Sequence, residues 1–213
     1  MIGLVLAAAG WGRRFGSEVP KQFLPMQGEP VYLHALRTFL PHCTSAVVVV
    51  PDAFRQQVED EVGALAEGAR VAVREGGSHR QDSVVRGLEA LPPQAQLVLV
   101  HDAARPHCST ELITRVIEGA REHGACIPAL PVSDTVKEVE DSQVVRTLDR
   151  SRLYRVQTPQ GFRREILREA FRRAAREGFL GTDESSLVER LGQPVRVVEG
   201  EASNRKITWK EDL

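Results

Sequence analysis

Short apolar runs alternate along this chain with segments in which apolar residues recur every three or four positions. Runs of the first kind favour buried strands, and spacing of the second kind favours amphipathic helices. Their alternation predicts an α/β fold of the Rossmann-like type, in which helices flank a mostly parallel, twisted sheet. The predicted strands cover residues 2–9, 46–50, 71–73, 97–100, 126–130 and 195–198, and the predicted helices cover residues 31–40, 54–66, 81–91, 110–123 and 163–177.

One segment, residues 131–160, interrupts this alternation, because no helical pattern stands where a βαβ unit requires one. Residues 135–140 and 144–148 instead alternate polar and apolar side chains on either side of a short polar turn, which is typical of a β-hairpin. A two-stranded hairpin is marginal in water by itself, so we expect it to pack on a second copy of the chain or on its own domain. We interpret residues 1–213 as a single domain with a β-arm at 131–156 that protrudes for dimerisation.

The first predicted strand leads directly into a loop suited to polyphosphate. Residues 4–21 read LVLAAAGWGRRFGSEVPK, an apolar strand followed by the smallest side chains and then by cations. Small residues let a ligand lie against backbone N–H groups, and Arg14 and Lys21 are placed to close over an anion. A Walker A loop requires a Gly-Lys-Ser/Thr ending that is missing here, and a Rossmann dinucleotide loop requires glycine where Phe15 stands. The loop is therefore interpreted as a polyphosphate cradle of another kind.

Polar residues after two later strands point to the rest of the site, since parallel α/β sheets bind ligands at the carboxyl ends of their strands. Residues 75–83 read EGGSHRQDS, where paired glycines allow a ligand to approach closely and Ser78 either bonds the ligand or caps the next helix. Residues 101–106 read HDAARP. Asp102 suits Mg²⁺ or a sugar hydroxyl, and Arg105 suits a second phosphate.

Lysine is scarce in this chain. Of the 28 basic residues only Lys21, Lys137, Lys206 and Lys210 are lysines. An ammonium is a compact point charge, so the few lysines that fall in conspicuous motifs are candidates for sites that need one. Lys206, which we expect at the start of a late strand, gains weight in this way, whereas Lys210 is expected at the surface.

Two polar groups have a structural interpretation beside a functional one. His101 adjoins Asp102, but a histidine in this position more often only makes hydrogen bonds within the core. Asp183 and Glu184 could act as acid/base groups or metal ligands. Alternatively, Thr182 or Asp183 caps the start of a helix. In both cases we favour the structural interpretation.

The composition narrows the class of protein. With 28 basic and 29 acidic residues the net charge is −1, which argues against a broad basic surface for nucleic acid. The three cysteines have no metal-binding spacing and cannot all pair with one another, so we expect a reducing cytoplasm. No apolar run is long enough to span a bilayer and no signal peptide is evident, so no membrane partner is expected.

The missing motifs are informative as well, because the sequence contains no HExxH, GxSxG or Cys/His arrangement. Transfer to a phosphate monoester needs no catalytic base, since the acceptor oxygens are already anionic at neutral pH. Positioned cations and Mg²⁺ then stabilise the charge that spreads over the transferred group. The segments at the strand ends match this demand, which favours phosphoryl or nucleotidyl transfer.

Seven segments, taken in order, resemble one family over nearly the whole chain. They read AAAGWGRRFGSEVPKQF, GGSHRQDSV, HDAARP, DTVK, TPQGF, GTDES and NRKIT. The family is 2-C-methyl-D-erythritol 4-phosphate cytidylyltransferase, within the nucleotidyltransferase superfamily. The resemblance implies a Mg²⁺-dependent homodimer that transfers CMP from CTP to methylerythritol 4-phosphate in non-mevalonate isoprenoid biosynthesis. The products would be 4-diphosphocytidyl-2-C-methyl-D-erythritol and pyrophosphate.

The same resemblance implies a role for each matching residue. Arg14 and Lys21 would stabilise the transition state at the α-phosphate. The nucleotide would lie against small or hydroxylic residues, namely Ala8, Ala9, Gly10, Gly12, Gly77, Ser78, Ser83 and Ala103.

The acceptor would lie between two chains. Asp102, Arg105 and Lys206 would contact it from one chain, with Asp102 also the candidate metal ligand, and Thr135 and Arg150 would reach it from the partner's arm. Ser78 stands where the family commonly has aspartate, which weakens the assignment at the nucleotide edge, and Trp11 stands where phenylalanine is frequent.

Three alternatives remain open on the sequence alone. The nearest is a cytidylyltransferase for another polyol phosphate, such as ribitol 5-phosphate, because related enzymes share the nucleotide half. A noncatalytic nucleotide-sensing module is disfavoured by the presence of Arg14, Lys21 and Asp102 together. A dinucleotide-dependent oxidoreductase is disfavoured by Phe15.

Overall fold

The structure is a computed structural model that describes residues 1–11, 15–16 and 19–213. Its helices are α1 (Val31–Phe39), α2 (Arg55–Gly63), α3 (Arg80–Ala90), α4 (Thr110–His123), α5 (Arg164–Glu177) and α6 (Glu184–Arg190). Its strands are β1 (Ile2–Ala7), β2 (Pro25–Met26), β3 (Glu29–Pro30), β4 (Ser45–Val50), β5 (Val71–Glu75), β6 (Leu97–Asp102), β7 (Ala125–Pro131), β8 (Val136–Glu140), β9 (Gln143–Leu148), β10 (Tyr154–Val156), β11 (Gln160–Arg163) and β12 (Arg196–Glu199). The predicted α/β fold is confirmed. None of the helices in the described part of the chain combines the length and apolarity that crossing a bilayer requires.

The main sheet has eight strands in the order β10-β7-β11-β6-β1-β4-β5, with β12 also paired to β7. β1 pairs in parallel with β4 on one side and with β6 on the other, and β4 pairs in parallel with β5. The chain therefore winds outward from β1 in one direction and then returns to its opposite side. This topology places a switch point, where α/β sheets bind ligands, at the carboxyl ends of β1 and β6. Ala7 and Asp102 lie opposite each other there.

Alternation along β1 explains why helices cover both faces of the sheet. Leu4 and Leu6 belong to the hydrophobic cluster that includes residues of α1, α2 and α4, whereas Val5 belongs to the cluster that includes residues of α3, α5 and α6. Successive residues of a strand point to opposite faces, so a single apolar run supplies both cores. The result is a three-layer arrangement that leaves the strand ends open to a ligand.

Two strands run against the others. β11 lies antiparallel between β6 and β7, and β10 lies antiparallel on β7. The sequence analysis predicted neither strand, because β11 (QGFR) and β10 (YRV) are short and contain no apolar run. Pairing with neighbouring strands, rather than local propensity, makes these segments extended.

The strand predicted around Lys206 is absent, and this prediction was wrong. Residues 204–208 form no strand and are held instead by main-chain and side-chain hydrogen bonds to residues at the end of the sheet. The Ile207 N–H donates to the Ala104 carbonyl at 2.8 Å, and Asn204 Nδ2 donates to the Thr158 carbonyl at 2.8 Å. This segment, which we call the C-terminal strap (residues 204–208), crosses the end of β6 without joining the sheet.

Helix starts follow the predictions in one case and depart from them in another. Asp183 caps α6, as predicted, since its Oδ1 accepts from the Ser186 N–H at 3.0 Å. The N-cap of α3 is His79 rather than Ser78. The His79 N–H donates to Asp82 Oδ2 at 3.0 Å, so Asp82 fixes the start of the helix and Ser78 stays in the preceding loop.

The predicted hairpin is present, because β8 and β9 pair antiparallel as a separate two-stranded sheet. β7 leads into this arm and β10 leads out of it, and their pairing fixes the base of the arm to the main sheet. The apolar side chains of the arm face outward, with Val139, Val144 and Val145 each more than half exposed. Whether the arm mediates dimerisation stays a prediction.

The central position of β11 generates the first test. Phe162 is fully buried in β11, between α5 and the neighbouring strands. We expect Phe162→Ala to lower the free energy of unfolding by about 3–5 kcal/mol, because it removes a large side chain from a packed core. Urea-induced unfolding measures the change. Leu180→Ala is the control, since Leu180 is 55% exposed and its truncation should change stability by no more than about 0.5 kcal/mol. Equal effects of the two substitutions would contradict the burial of β11.

Candidate active site

A cavity of about 680 Å³ opens at the carboxyl ends of the central strands. It lies where the topology predicts a ligand site. The residues singled out from the sequence that line it are Ala9, Gly10, Lys21, Gly77, Ser78, Ser83, Asp102 and Lys206. They come from four separate segments of the chain, so the fold brings together most of the predicted site.

The loop after β1 forms one wall of the cavity. Ala8 is buried, and its N–H donates to the Val49 carbonyl at 2.8 Å, which continues the sheet by one residue. Gln22 Nε2 donates to the carbonyls of Ala8 at 2.6 Å and Gly10 at 2.8 Å. Because Gln22 directly follows Lys21, these two hydrogen bonds fix Lys21 next to the segment of small residues. Gln22 was not identified from the sequence. Two predicted residues of this loop, Gly12 and Arg14, lie outside the described residues.

The loop after β5 forms the facing wall, and only glycine fits at its tip. A Cβ at Gly76 would lie 2.3 Å from the Ala9 Cβ, and one at Gly77 would lie 2.3 Å from the Asp82 Cβ. Ser83 Oγ accepts from the Gly77 N–H at 3.0 Å and donates to the His79 carbonyl at 3.0 Å. Gly76 therefore allows the two loops to touch, Gly77 allows its loop to pack against the start of α3, and Ser83 fixes the shape of the second loop.

Asp102, at the end of β6, is the centre of a charged cluster. Its Oδ2 lies 2.7 Å from Lys206 Nζ, and its Oδ1 accepts from Arg80 Nε at 3.2 Å. Arg105 Nε lies 4.0 Å from Oδ2. Burial alone would raise the pKa of Asp102, but the positive charges of Arg80 and Lys206 outweigh it and hold the pKa well below the ordinary 3.8. Asp102 is a carboxylate at any pH near neutrality.

The layer behind Asp102 is neutral. The Asp102 N–H donates to Thr158 Oγ1 at 3.1 Å, and Thr158 Oγ1 also lies 3.1 Å from His101 Nδ1. The other ring nitrogen of His101 bonds the Arg105 carbonyl at 3.0 Å. Burial lowers the pKa of His101 to about 4, so its ring is uncharged at neutral pH. The structural interpretation of His101 is confirmed.

Arg105 connects the charged cluster to the C-terminal strap. Its Nη1 donates to the Asn204 carbonyl at 2.7 Å, which ties the end of β6 to the C-terminal strap. Asn204 is completely buried, and it also receives a hydrogen bond on its carbonyl from Gln157 Nε2 at 3.2 Å. The strap is thus held at Asn204, two residues before the lysine that reaches Asp102. Asn204 belongs to the segment NRKIT, but its structural role was not predicted, because its partners are distant along the chain.

Arg80 and Glu184 are the other residues that the sequence analysis did not assign to the site. Arg80 Nη1 donates to Glu184 Oε1 at 2.7 Å, and the same guanidinium contacts Asp102. Arg80 stands within the quoted glycine-rich segment, where a basic residue next to a strand end was a usable signal. Glu184 is the first residue of α6, as the sequence predicts, and its contact with Arg80 is additional to that local role.

Five predicted residues within the described ranges do not line the cavity of this chain, namely Ala8, Ala103, Arg105, Thr135 and Arg150. Ala103 is fully buried, and its N–H donates to the Ala7 carbonyl at 3.1 Å. Thr135 and Arg150 lie on the arm, where Arg150 Nη1 donates to the Ser133 carbonyl. The arm residues and the cavity of one chain are therefore separate in this structure.

No group of three or more histidine, cysteine, aspartate or glutamate side chains is suited to hold a metal ion within the described ranges. The cavity instead combines several cations, one buried carboxylate and two loops of small residues. Backbone and cations of this kind bind phosphate groups. Fold and site together define the class: an α/β enzyme that binds a nucleotide and acts on its phosphates.

The comparisons with known proteins give the family. The family model described as 2-C-methyl-D-erythritol 4-phosphate cytidylyltransferase matches residues 2–213. The chain belongs to this family. The family resemblance predicted from the seven sequence segments is confirmed.

Relatives and solved structures agree with this assignment. A 2-C-methyl-D-erythritol 4-phosphate cytidylyltransferase from Symbiobacterium thermophilum is 43% identical over 215 residues, covering 100% of this chain and 89% of the relative. The crystal structure of the enzyme of that name from Thermus thermophilus superposes with a TM-score of 0.82 at 39% identity, covering 99% and 94% of the two chains. The 4-diphosphocytidyl-2C-methyl-D-erythritol synthase of Anaerococcus prevotii superposes with a TM-score of 0.86 at 31% identity, covering 100% and 94%.

The charged cluster predicts a pH-dependent stability. Because the pKa of Asp102 in the folded protein lies below the 3.8 of an unfolded chain, the carboxylate stabilises the fold fully above that pH. This contribution is lost as the pH falls toward the folded pKa. We expect Asp102→Asn to lower the free energy of unfolding at pH 7 by about 3–5 kcal/mol, since it leaves buried cations without a counter-charge.

Urea-induced unfolding of the wild-type protein and of Asp102→Asn between about pH 7 and pH 2 measures this loss of stability. The difference between their free energies of unfolding should narrow only below about pH 4. Glu59→Gln is the control, because Glu59 forms an exposed pair with Arg55 and should show no comparable difference. A difference that stays constant down to the lowest pH would contradict an ionised, stabilising Asp102.

Proposed function

We propose that this chain transfers CMP from CTP to 2-C-methyl-D-erythritol 4-phosphate, a step of non-mevalonate isoprenoid biosynthesis. An oxygen of the acceptor phosphate attacks the α-phosphorus of CTP. The bond from that phosphorus to the bridging oxygen breaks, and pyrophosphate leaves with the electron pair. The products are 4-diphosphocytidyl-2-C-methyl-D-erythritol and pyrophosphate. The observation that carries the proposal is the meeting of Lys21, Asp102 and Lys206 in one cavity at the switch point.

The nucleotide is assigned to the two touching loops. The triphosphate is assigned to Ala9 and Gly10, where small residues leave the backbone accessible, and, by the family resemblance, to Gly12. Ala8 is buried and holds this loop to the sheet. The cytidine is assigned to the second loop, at Gly77, Ser78 and Ser83. Ala103 is fully buried and supports the start of the loop after β6 from behind the cavity. Support comes from the contact between Gly76 and Ala9, which joins the two loops into one surface. The cavity volume of about 680 Å³ is within the range of small-molecule sites.

Catalysis is assigned to positioned charge rather than to a base. Lys21 lines the cavity and is 8% exposed, so its ammonium acts in a partly desolvated setting. Together with Arg14 it stabilises the charge that develops on the α-phosphate oxygens. The acceptor is a phosphate monoester and already anionic, so no residue has to remove a proton from it.

The acceptor is assigned to the charged cluster. Lys206 is poised to contact the phosphate of methylerythritol phosphate, and Asp102 to accept hydrogen bonds from its hydroxyls. Arg105 acts beside them by holding the C-terminal strap and contributing positive charge. The family match favours this acceptor over ribitol 5-phosphate.

Mg²⁺ is the proposed cofactor. The described residues offer Asp102 as a carboxylate ligand at the site and no protein cage, which fits an ion held chiefly by triphosphate oxygens and water. When bound, Mg²⁺ neutralises phosphate charge. Both Asp102 oxygens already contact cations, so its part in metal binding is secondary to its part in the cluster.

The arm is proposed to form a homodimer in which each arm completes the partner's acceptor site. The exposed valines of β8 and β9 need a covering surface, and Thr135 and Arg150 lie outside the cavity of their own chain. The unit of the dimer is a single nucleotidyltransferase domain, residues 1–213, with the arm at 131–156.

A reducing cytoplasm is proposed for the protein, supported by the buried free thiols of Cys43, Cys108 and Cys126.

The function itself is tested by pyrophosphate release. With CTP and Mg²⁺ we expect release with methylerythritol 4-phosphate and none with ribitol 5-phosphate. Turnover of ribitol 5-phosphate alone would show a different acceptor class. If no pyrophosphate is released with either acceptor, the proposed function is wrong.

Lys21→Ala is expected to lower kcat by about 100-fold or more, as removal of a preorganised electrostatic group does. Arg14→Ala is expected to act in the same way. Steady-state kinetics measure both effects, and Lys210→Ala is the control because Lys210 does not line the cavity. Unchanged turnover in either variant would contradict its assigned role.

The shared site is tested by hybrid dimers. Arg150→Ala should raise the KM for methylerythritol phosphate and leave the KM for CTP unchanged. A hybrid of one Lys21→Ala chain and one Arg150→Ala chain then has one intact site, so purified hybrid dimers should regain about half of the wild-type activity at low acceptor concentration. If Arg150 acts within its own chain, the hybrid regains nothing.

A further inference from the structure

Four charges of alternating sign form a continuous chain from α6 to the C-terminal strap. Glu184 Oε1 lies 2.7 Å from Arg80 Nη1, Arg80 Nε lies 3.2 Å from Asp102 Oδ1, and Asp102 Oδ2 lies 2.7 Å from Lys206 Nζ. Each of the four residues belongs to a different element, so this series of ion pairs connects α6, α3, β6 and the C-terminal strap. The proposed function uses only the last two members. Arg80 and Glu184 have no assigned part in it.

Glu184 is the most deeply buried member of this chain. It is 1% exposed, and its Oε2 is buried without a hydrogen-bond partner among the described residues. Burial raises the pKa of Glu184, and the charge and hydrogen bond of Arg80 oppose that rise. A buried ion pair of this kind adds little net stability compared with apolar residues of the same volume. Its position next to the site therefore calls for another explanation than stability.

The first turn of α6 holds Glu184 in a fixed place. Gln160 Nε2 donates to Asp183 Oδ2 at 2.7 Å, and the Ser185 N–H donates to Gln160 Oε1 at 3.1 Å. Gln160 is the first residue of β11 and is 1% exposed, so it fastens the helix start to the main sheet from both sides of Glu184. The carboxylate is thus a rigid anchor for the long side chain of Arg80.

The anchor determines how Arg80 meets Asp102. With one edge of its guanidinium on Glu184, Arg80 presents the other edge to Asp102 Oδ1. Asp102 Oδ2 is then left for Lys206. Without the negative charge of Glu184, Arg80 would pair with Asp102 alone, and the pull of that carboxylate on Lys206 would weaken.

We propose that Glu184 is a positioning residue for the acceptor: by anchoring Arg80 it fixes the Asp102 carboxylate and so holds Lys206 where the acceptor phosphate binds. This inference rests on the proposed function, because it assigns the acceptor to Asp102 and Lys206. It acts through three side chains and not through contact of Glu184 with a substrate.

Steady-state kinetics with both substrates test the proposal. Glu184→Gln keeps the size of the side chain and removes its charge. We expect it to raise the KM for methylerythritol 4-phosphate roughly tenfold, a coupling typical of residues in one charged network, and to leave the KM for CTP within about twofold. An unchanged acceptor KM, or an equal rise in both KM values, would overturn the proposal.

A double-mutant cycle separates positioning through Arg80 from a general structural effect. Arg80→Gln should raise the acceptor KM on its own, and adding Glu184→Gln to it should change that KM by no more than about twofold. Independent effects that multiply would overturn the proposal. If Glu184→Gln does not fold, Arg80→Gln alone decides: a selective rise in acceptor KM supports the proposal and an unchanged acceptor KM overturns it.

The control is Glu177→Gln. Glu177 also pairs with two arginines, Arg173 and Arg190, and the second of these belongs to α6. This substitution loosens the docking of α6 without touching Arg80, so both KM values should stay at the wild-type level, and a matching rise in the acceptor KM would overturn the specific role of Glu184. If the wild-type enzyme itself releases no pyrophosphate, the proposed function is wrong. This outcome is therefore distinguishable from a failure of the role proposed for Glu184.

Discussion

The structure of the site depends on one buried negative charge, the carboxylate of Asp102. Its burial would favour the neutral acid, so the ionised form exists only because Arg80, Lys206 and Arg105 surround it. Those cations come from α3, the C-terminal strap and the loop after β6. Three distant parts of the chain must therefore converge on one strand end, and the cluster that results is both a structural junction and the proposed acceptor site.

The sheet topology makes this convergence possible. The switch point beside β1 leaves a crevice between diverging connections, and both glycine-containing loops open into it. Behind the crevice, β11 and the segment 157–159 supply neutral hydrogen-bonding groups, such as Thr158, that set the backbone of Asp102. The antiparallel strand therefore does more than extend the sheet, because it also carries Gln160, which fastens the start of α6 beside the site.

The division of labour in the proposed reaction follows the chain. Under this proposal, the loops after β1 and β5 would hold the nucleotide and place Lys21 at the reacting phosphate, while the charged cluster and the arm would select the acceptor. Electrostatic catalysis of this kind requires that charges be fixed before the substrates arrive. Buried links such as Gln22 to the first loop and Glu184 to Arg80 provide that rigidity, since each holds a group that would otherwise move freely.

Local sequence patterns were enough to predict the elements that bury apolar side chains and the loops of small and charged residues at the strand ends. Apolar periodicity predicted β1, β4, β6 and the long helices, and the residues at the strand ends predicted Lys21 and Asp102, because both signals are local. Lys206 was predicted from the scarcity of lysine and from the family resemblance. The remaining features depend on contacts between segments that are distant along the chain. β11 is a strand only because β6 and β7 pair with it, and the C-terminal strap avoids the sheet because Asn204 and Ile207 bond across its end. Two partners of Asp102, Arg80 and Lys206, lie 22 and 104 positions away along the chain, so only the folded chain shows that they pair with it.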